Sequence, residues 1–148
     1  MQNGLALEIC VESVDRAVAA ERGGAHRVVL CSDLASGGIT PSAALMRVAR
    51  QNLRLPIHVL VRPRGRDFIY SDREFEIMER DIDFARQAGM EGVVIGILDR
   101  KCRVDVQRTA RLAQRAKPLA VTFHRAFDLC RDMSAALEAV IQPDQYDC

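Results

Sequence analysis

The sequence predicts an α/β fold in which five parallel strands are each followed by a helix. Three observations carry this: nearly continuous apolar runs of about six residues recur five times, segments of helical periodicity fill the gaps, and the connections are short. Continuous apolar runs are what parallel strands buried on both faces require. Strict alternation demands right-handed crossovers, leaving a doubly wound open sheet or part of a barrel. A dinucleotide-binding open sheet wants a glycine-rich turn after its first strand, and LEICVESVDRA contains none. The expected architecture is therefore an incomplete (β/α)8 TIM-type barrel, since a complete one takes about 250 residues. The 148 residues supply five βα units in one domain, 1–148.

The expected strands are LALEIC (5–10), RVVLC (27–31), IHVLV (57–61), GVVIGIL (92–98) and LAVTFH (119–124). After the first, Ser13 caps a helix that stops at Gly23-Gly24. After the second, Thr40 serves as cap with Pro41 at the first helical position. After the third, Ser71 and Glu74 form a capping box for a helix through Phe75, Met78, Ile82 and Ala85, ended by Gly89. Asp105 starts a fourth helix, which stops before Pro118, and a fifth runs from about Asp132 to Pro143. Residues 142–148, QPDQYDC, read as a divergent polar tail. Strands one and five are expected to be open edges, a surface for self-association.

The charge balance of 21 Lys+Arg against 20 Asp+Glu gives +1, which implies no broad attraction to nucleic acid or to an anionic membrane. No apolar run approaches the roughly 18 residues of a membrane span, and the N-terminus lacks a signal-peptide pattern, so a cytoplasmic or nuclear chain is expected. Five cysteines at irregular spacing argue for reduced thiols rather than a disulfide framework, and no CxxC or Cys/His cluster at zinc spacing occurs.

In a barrel, polar residues at the C-terminal ends of strands belong to the site. Here those ends carry Glu8, Cys10, Cys31, Arg62, Asp99 and His124. The loop VRPRGRDFIYSD (61–72) holds Arg62, Arg64, Arg66 and Asp67, and arginine's planar fork suits carboxylate or phosphate. Solvated arginines and a buried structural ion pair are the competing reading. Cys10 and Cys31 end adjacent strands, and two soft thiolates suit Cu(I) better than harder ions. Buried cysteine also serves simply as a small hydrophobe. His124 could be a general acid/base with Asp128 fixing its tautomer, or a hydrogen-bonding structural residue; Asp128 could equally cap the next turn. Arg125 is a candidate partner for Glu8 or Asp67. Asp99 fits a turn, and Gly37-Gly38 offers a weak anion cradle at a helix start.

LEICVESVDRAVAAERGGAHRVVLC, SGGITPS, VRPRGRDFIYSDREFEIM, GILD and PLAVTFHRAFD together resemble the CutC copper-homeostasis family over residues 5 to 141. The resemblance implies a cytosolic, homo-oligomeric (β/α)8 barrel associated with copper tolerance and Cu(I) binding. It implies metal binding by Cys10 and Cys31, and a polar barrel mouth of Glu8, Arg62, Arg64, Asp67, His124, Arg125 and Asp128. Of these, His124, Asp128 and Glu8 are catalytic candidates, and Arg62, Arg64, Asp67 and Arg125 are candidates for binding an anionic substrate. Three departures stand out: Val29 replaces a usual glutamate, Arg66 replaces a usual glycine, and the last three βα units have no counterpart within the 148 residues. Copper homeostasis is the leading expectation; a barrel enzyme for a small anion, or a nonfunctional or regulatory fragment that joins full-length subunits, are the alternatives.

Overall fold

The computed structural model describes residues 5–141. Five strands, β1 (Glu8–Val11), β2 (Arg27–Leu30), β3 (Ile57–Leu60), β4 (Gly92–Ile95) and β5 (Ala120–Phe123), alternate with helices α1 (Val14–Arg22), α2 (Ala43–Asn52), α3 (Asp72–Gln87), α4 (Val106–Ala116) and α5 (Met133–Ile141). All four strand pairings are parallel and follow chain order, β1-β2-β3-β4-β5. This is the expected arrangement, with β1 and β5 each paired on one side only.

Period-two alternation divides the strand residues between two faces. The helix-facing set, including Val28, Leu30, Ile57, Val59, Val93 and Ile95, joins the main core with Met46, Phe75, Met78, Ile82 and Leu112. Along α3, Phe75, Met78, Ile82 and Ala85 form one buried stripe at helical spacing. Each of the three larger side chains stabilises the fold by about 1.5–3 kcal/mol through removal from water. The opposite face carries a smaller apolar cluster of Val29, Cys31, Leu60 and Val94, with Leu34 packed against it. That second burial is why the central strands β2 to β4 read as unbroken apolar runs, whereas β1 and β5, expected to be buried likewise, are largely exposed.

Local end signals hold where they act locally. Ser13 accepts from the Arg16 amide, and Ser71 and Glu74 close the capping box reciprocally. Asp105 accepts from the Arg108 amide, and Asp132 from the Ala135 amide. Thr40 does not cap α2: Ser42 does, accepting from the Leu45 amide. The Thr40 hydroxyl instead accepts from the Arg62 amide, and the Thr40 amide donates to the Arg62 carbonyl, tying the β2 loop to the end of β3. Residues 142–148, including the expected helix end at Pro143, lie outside the described residues. Among the described residues no helix is long and apolar enough to cross a membrane.

Candidate functional site

The inward-facing side chains at the strand C-termini surround a cavity of about 260 Å³. β1 contributes Glu8 and Cys10, the β2 end Val29 and Cys31, the β3 end Leu60 and Arg62, β4 Val94, and the β5 end Thr122, His124 and Arg125; Phe68 closes one side. A larger cavity beside α5 contains Asp99 and Asp105, both already committed to local structure. Asp99 accepts from the Lys101 and Arg103 amides and pairs with the Arg103 guanidinium, so it is a turn residue.

Arg62 is the most deeply buried cation, at 2% exposure. Its Nη1 donates to the Gly38 carbonyl at 2.8 Å and more weakly to that of Ser36, and its Nη2 donates to the Arg66 carbonyl at 2.9 Å. No carboxylate pairs with it among the described residues; the side-chain group it meets is the buried, neutral Tyr70 hydroxyl. Its guanidinium lies 4.8 Å from the centre of the Phe68 ring, with that of Arg125 at 5.6 Å. Gly37, at φ 89°, makes room for this pair: a Cβ there would lie 2.2 Å from Arg125 Nη2 and 3.4 Å from Arg62 Nη1. Gly37-Gly38 is thus a close-approach device rather than a helix-start cradle, since α2 begins only at Ala43.

His124 packs on Phe68 with ring centres 4.8 Å apart. A Cβ on Gly96 would sit 2.2 Å from its ring, so this glycine on the neighbouring strand's extension is a condition of the histidine's placement. The Ala126 amide donates to Nδ1 at 3.1 Å, which fixes the neutral tautomer with its proton on Nε2. That Nε2 is buried and unpartnered. Burial, then the charges of Arg62 and Arg125, push the imidazole down to about 4. At neutral pH the ring is a hydrogen-bond donor with no stored proton to give. Asp128, expected to set the tautomer, is exposed and makes no hydrogen bond or ion pair among the described residues; the short turn over Arg125–Leu129 offers a nearer amide instead.

Glu8 does not reach Arg62 or Arg125. It pairs with Arg27, its direct register partner on β2. Arg64 lies outside the cavity: it donates to Glu74 at 2.6 Å, to Asp67 at 3.1 Å and to the Gly65 and Ile69 carbonyls. Asp67 also accepts from the Ile69 amide, so the two are the loop's internal frame. The amide of Ile69 and the Arg64 guanidinium hold the Asp67 carboxyl below its usual range. Arg66 stands exposed at φ 74°, so the position does need the left-handed conformation that glycine adopts freely.

Cys10 and Cys31 both line the cavity, Cys10 exposed and Cys31 buried with its thiol donating to the Val11 carbonyl at 3.4 Å. Burial and then the neighbouring Cys10 and Glu12 push the Cys31 thiol up to about 11, and burial with Glu8 raises Cys10. Among the described residues no group of three or more His, Cys, Asp or Glu is placed to hold a metal. Any metal held by the two sulfurs has two protein ligands from this set, which suits soft, low-coordinate Cu(I) and not four-coordinate zinc.

Arg27, Phe68, Gly96 and Thr122 escaped the sequence reading. Period-two counting back from Val29 reaches Arg27, and the Gly92/Gly96 spacing opposite His58 and His124 was the available signal for the histidine pockets.

A parallel βα sheet with a largely apolar cavity at its strand C-termini, into which Arg62, His124 and Arg125 are set, defines this chain as barrel-type, the class in which sites are assembled from strand ends. The CutC family model matches residues 5–144, and the chain belongs to that family. It is 48% identical over 139 residues to the human copper homeostasis protein cutC homolog, covering 94% of this chain and 51% of the human protein. It is 50% identical over 135 residues to a family protein CutC of Chromobacterium violaceum, covering 91% and 55%. A crystal structure described as a copper homeostasis protein CutC from Streptococcus agalactiae superposes with a TM-score of 0.84 at 32% identity, covering 95% of this chain and 67% of the other. The chain spans about half the length of the curated relatives it matches.

Proposed function

We propose that this chain serves copper homeostasis by binding Cu(I) as cargo through the thiolates of Cys10 and Cys31. The observation that carries the reading is that both sulfurs, on adjacent strands, open into one cavity. Thiolates are soft donors, and the reduced state they need suits a cytoplasmic chain. Binding displaces the thiol protons, so each Cu(I) taken up by both sulfurs releases up to two protons and affinity rises with pH. The copper homeostasis of the relatives supports the assignment.

The test is titration with Cu(I) under reducing conditions. One equivalent should bind to the parent, and the Cys10→Ala/Cys31→Ala variant should lose it. Equal binding by that variant refutes the site. Variants of Cys102, Cys130 and Cys148 control for adventitious thiols. Self-association through the β1 and β5 edges belongs to the same reading, and a monomer's mass in sedimentation equilibrium at every concentration tested would refute it.

A further inference from the structure

We propose that the Arg62 end of the cavity binds a small organic oxyanion, a carboxylate or phosphate head on a short apolar body, between Arg62, Arg125 and His124. A buried guanidinium without a counter-ion costs several kcal/mol, and Arg62 is in that position at 2% exposure. Nearly every buried polar group finds a partner, yet His124, which lines this end of the cavity, has an unpartnered Nε2–H among the described residues, and the side-chain group that meets Arg62 is the neutral Tyr70 hydroxyl, which offsets none of its charge. Arg125 shares the Phe68 ring and the Gly37 gap with Arg62 and makes no hydrogen bond or ion pair among the described residues. The carboxylate nearest in the lining, Glu8, is taken by Arg27. Two like charges and an unused donor therefore converge where no acidic side chain answers them.

The anion's charge offsets both guanidiniums, and forked donors match the two oxygens of a carboxylate or phosphate edge. The remaining wall, Val29, Leu60 and Val94, is apolar and takes a short hydrocarbon body. A volume of about 260 Å³ lies below the roughly 300–1,000 Å³ of sites for drug-sized ligands. This assignment differs from the one expected from the loop motif, because Arg64 and Asp67 are spent on each other and His124 acts as a neutral donor. It uses neither cysteine, so it stands or falls apart from copper binding.

The experiment follows the His124 Cε1–H resonance at neutral pH during titration with isobutyrate, inorganic phosphate or neutral isobutyramide, with His26 as internal reference. A saturable shift with isobutyrate, phosphate or both, and none with isobutyramide, is the expected result, and the anion that responds identifies the head group. Arg125→Ala should raise Kd roughly tenfold or more, the change carried by one lost charge-assisted hydrogen bond. Val29→Glu, which places a carboxylate in the apolar wall and leaves Arg62, Arg125 and His124 unchanged, should weaken binding of the anion similarly. Cys10→Ala/Cys31→Ala should bind the anion as the parent does. No saturable shift with either anion, an equal response to isobutyramide, or an unchanged Kd in both Arg125→Ala and Val29→Glu overturns the proposal.

Discussion

Replacing Arg66 by glycine should stabilise the protein. Arg66 sits at φ 74°, its side chain is exposed, and no hydrogen bond or ion pair holds that side chain among the described residues. The left-handed conformation costs an L-residue roughly 1–2 kcal/mol through contact of Cβ with the carbonyl oxygen. Glycine removes that cost and gives back about 0.4–1 kcal/mol through the freer unfolded chain. The net gain is about 0.5–1 kcal/mol. Arg66→Ala keeps the Cβ and loses only a solvated side chain, so it should lie within about 0.5 kcal/mol of the parent. Urea unfolding of the three proteins measures this, and with a slope near 2 kcal/mol per M the glycine variant's midpoint should rise by roughly 0.3–0.5 M over that of the alanine variant. A glycine variant no more stable than the alanine variant refutes the strain. The position matters to the site because the Arg66 carbonyl accepts from Arg62 Nη2, so the strained turn aims an acceptor at the buried guanidinium.

Three further outcomes follow from the same geometry. His124, pushed down to about 4 by burial and two arginines, should show no NMR titration near pH 6.5, and a midpoint there would contradict the buried neutral ring. Its folded value lies below the unfolded one, so the stability it contributes is present above about pH 6.5 and is lost as pH falls toward 4. Cys31 acts at the other end of the scale: its folded value is raised to about 11, so its contribution is intact below about pH 9 and fades as pH rises through 11. Unfolding free energies between pH 8 and 11 (roughly the window of that linkage) should fall less steeply in Cys31→Ala, and parallel slopes would count against it. Gly96→Ala should destabilise by about 1–3 kcal/mol, since its Cβ would meet the His124 ring at 2.2 Å, whereas Gly65→Ala, with nothing within 4 Å, should cost much less in the same melting experiment.

What the sequence disclosed was whatever its residues decide locally. The Ser71–Glu74 capping box and the buried stripe of α3 depend on spacing within one helix, and both are in place. The five apolar runs are too short for helices and too continuous for a one-sided sheet, which fits the central strands β2 to β4, while β1 and β5 are largely exposed. The errors arose where a side chain had a choice between a near and a distant partner. Thr40 reads as a cap in sequence, but its hydroxyl is taken by an amide 22 positions away. Asp128 stands four residues from His124, yet the Ala126 amide, two residues away, occupies Nδ1 first. Glu8 found Arg27 because strand register set them opposite each other, and register is not written in either segment alone. Arg64 and Asp67 belong to a motif that suggested a mouth; the motif's chemistry is spent on holding its own loop in shape.

The two ends of the cavity share one electrostatic cause. Burial raises both cysteine thiols and lowers His124, so near neutral pH all three are uncharged. With Glu8 and Arg27 offsetting each other, the remaining charge in the lining is that of Arg62 and Arg125. Loading Cu(I) on two thiolates adds one positive charge and removes two protons, so the loaded site is one unit more negative than the empty one. A bis-thiolate copper centre is then stabilised by the same guanidiniums that would hold an organic anion. The two ligands therefore oppose each other: each neutralises field the other uses, and linkage requires the weakening to be equal in both directions. Cu(I) affinity should fall in saturating isobutyrate or phosphate and should fall also in Arg125→Ala. An affinity insensitive to both would mean that the sulfur end and the arginine end do not sense each other's charge.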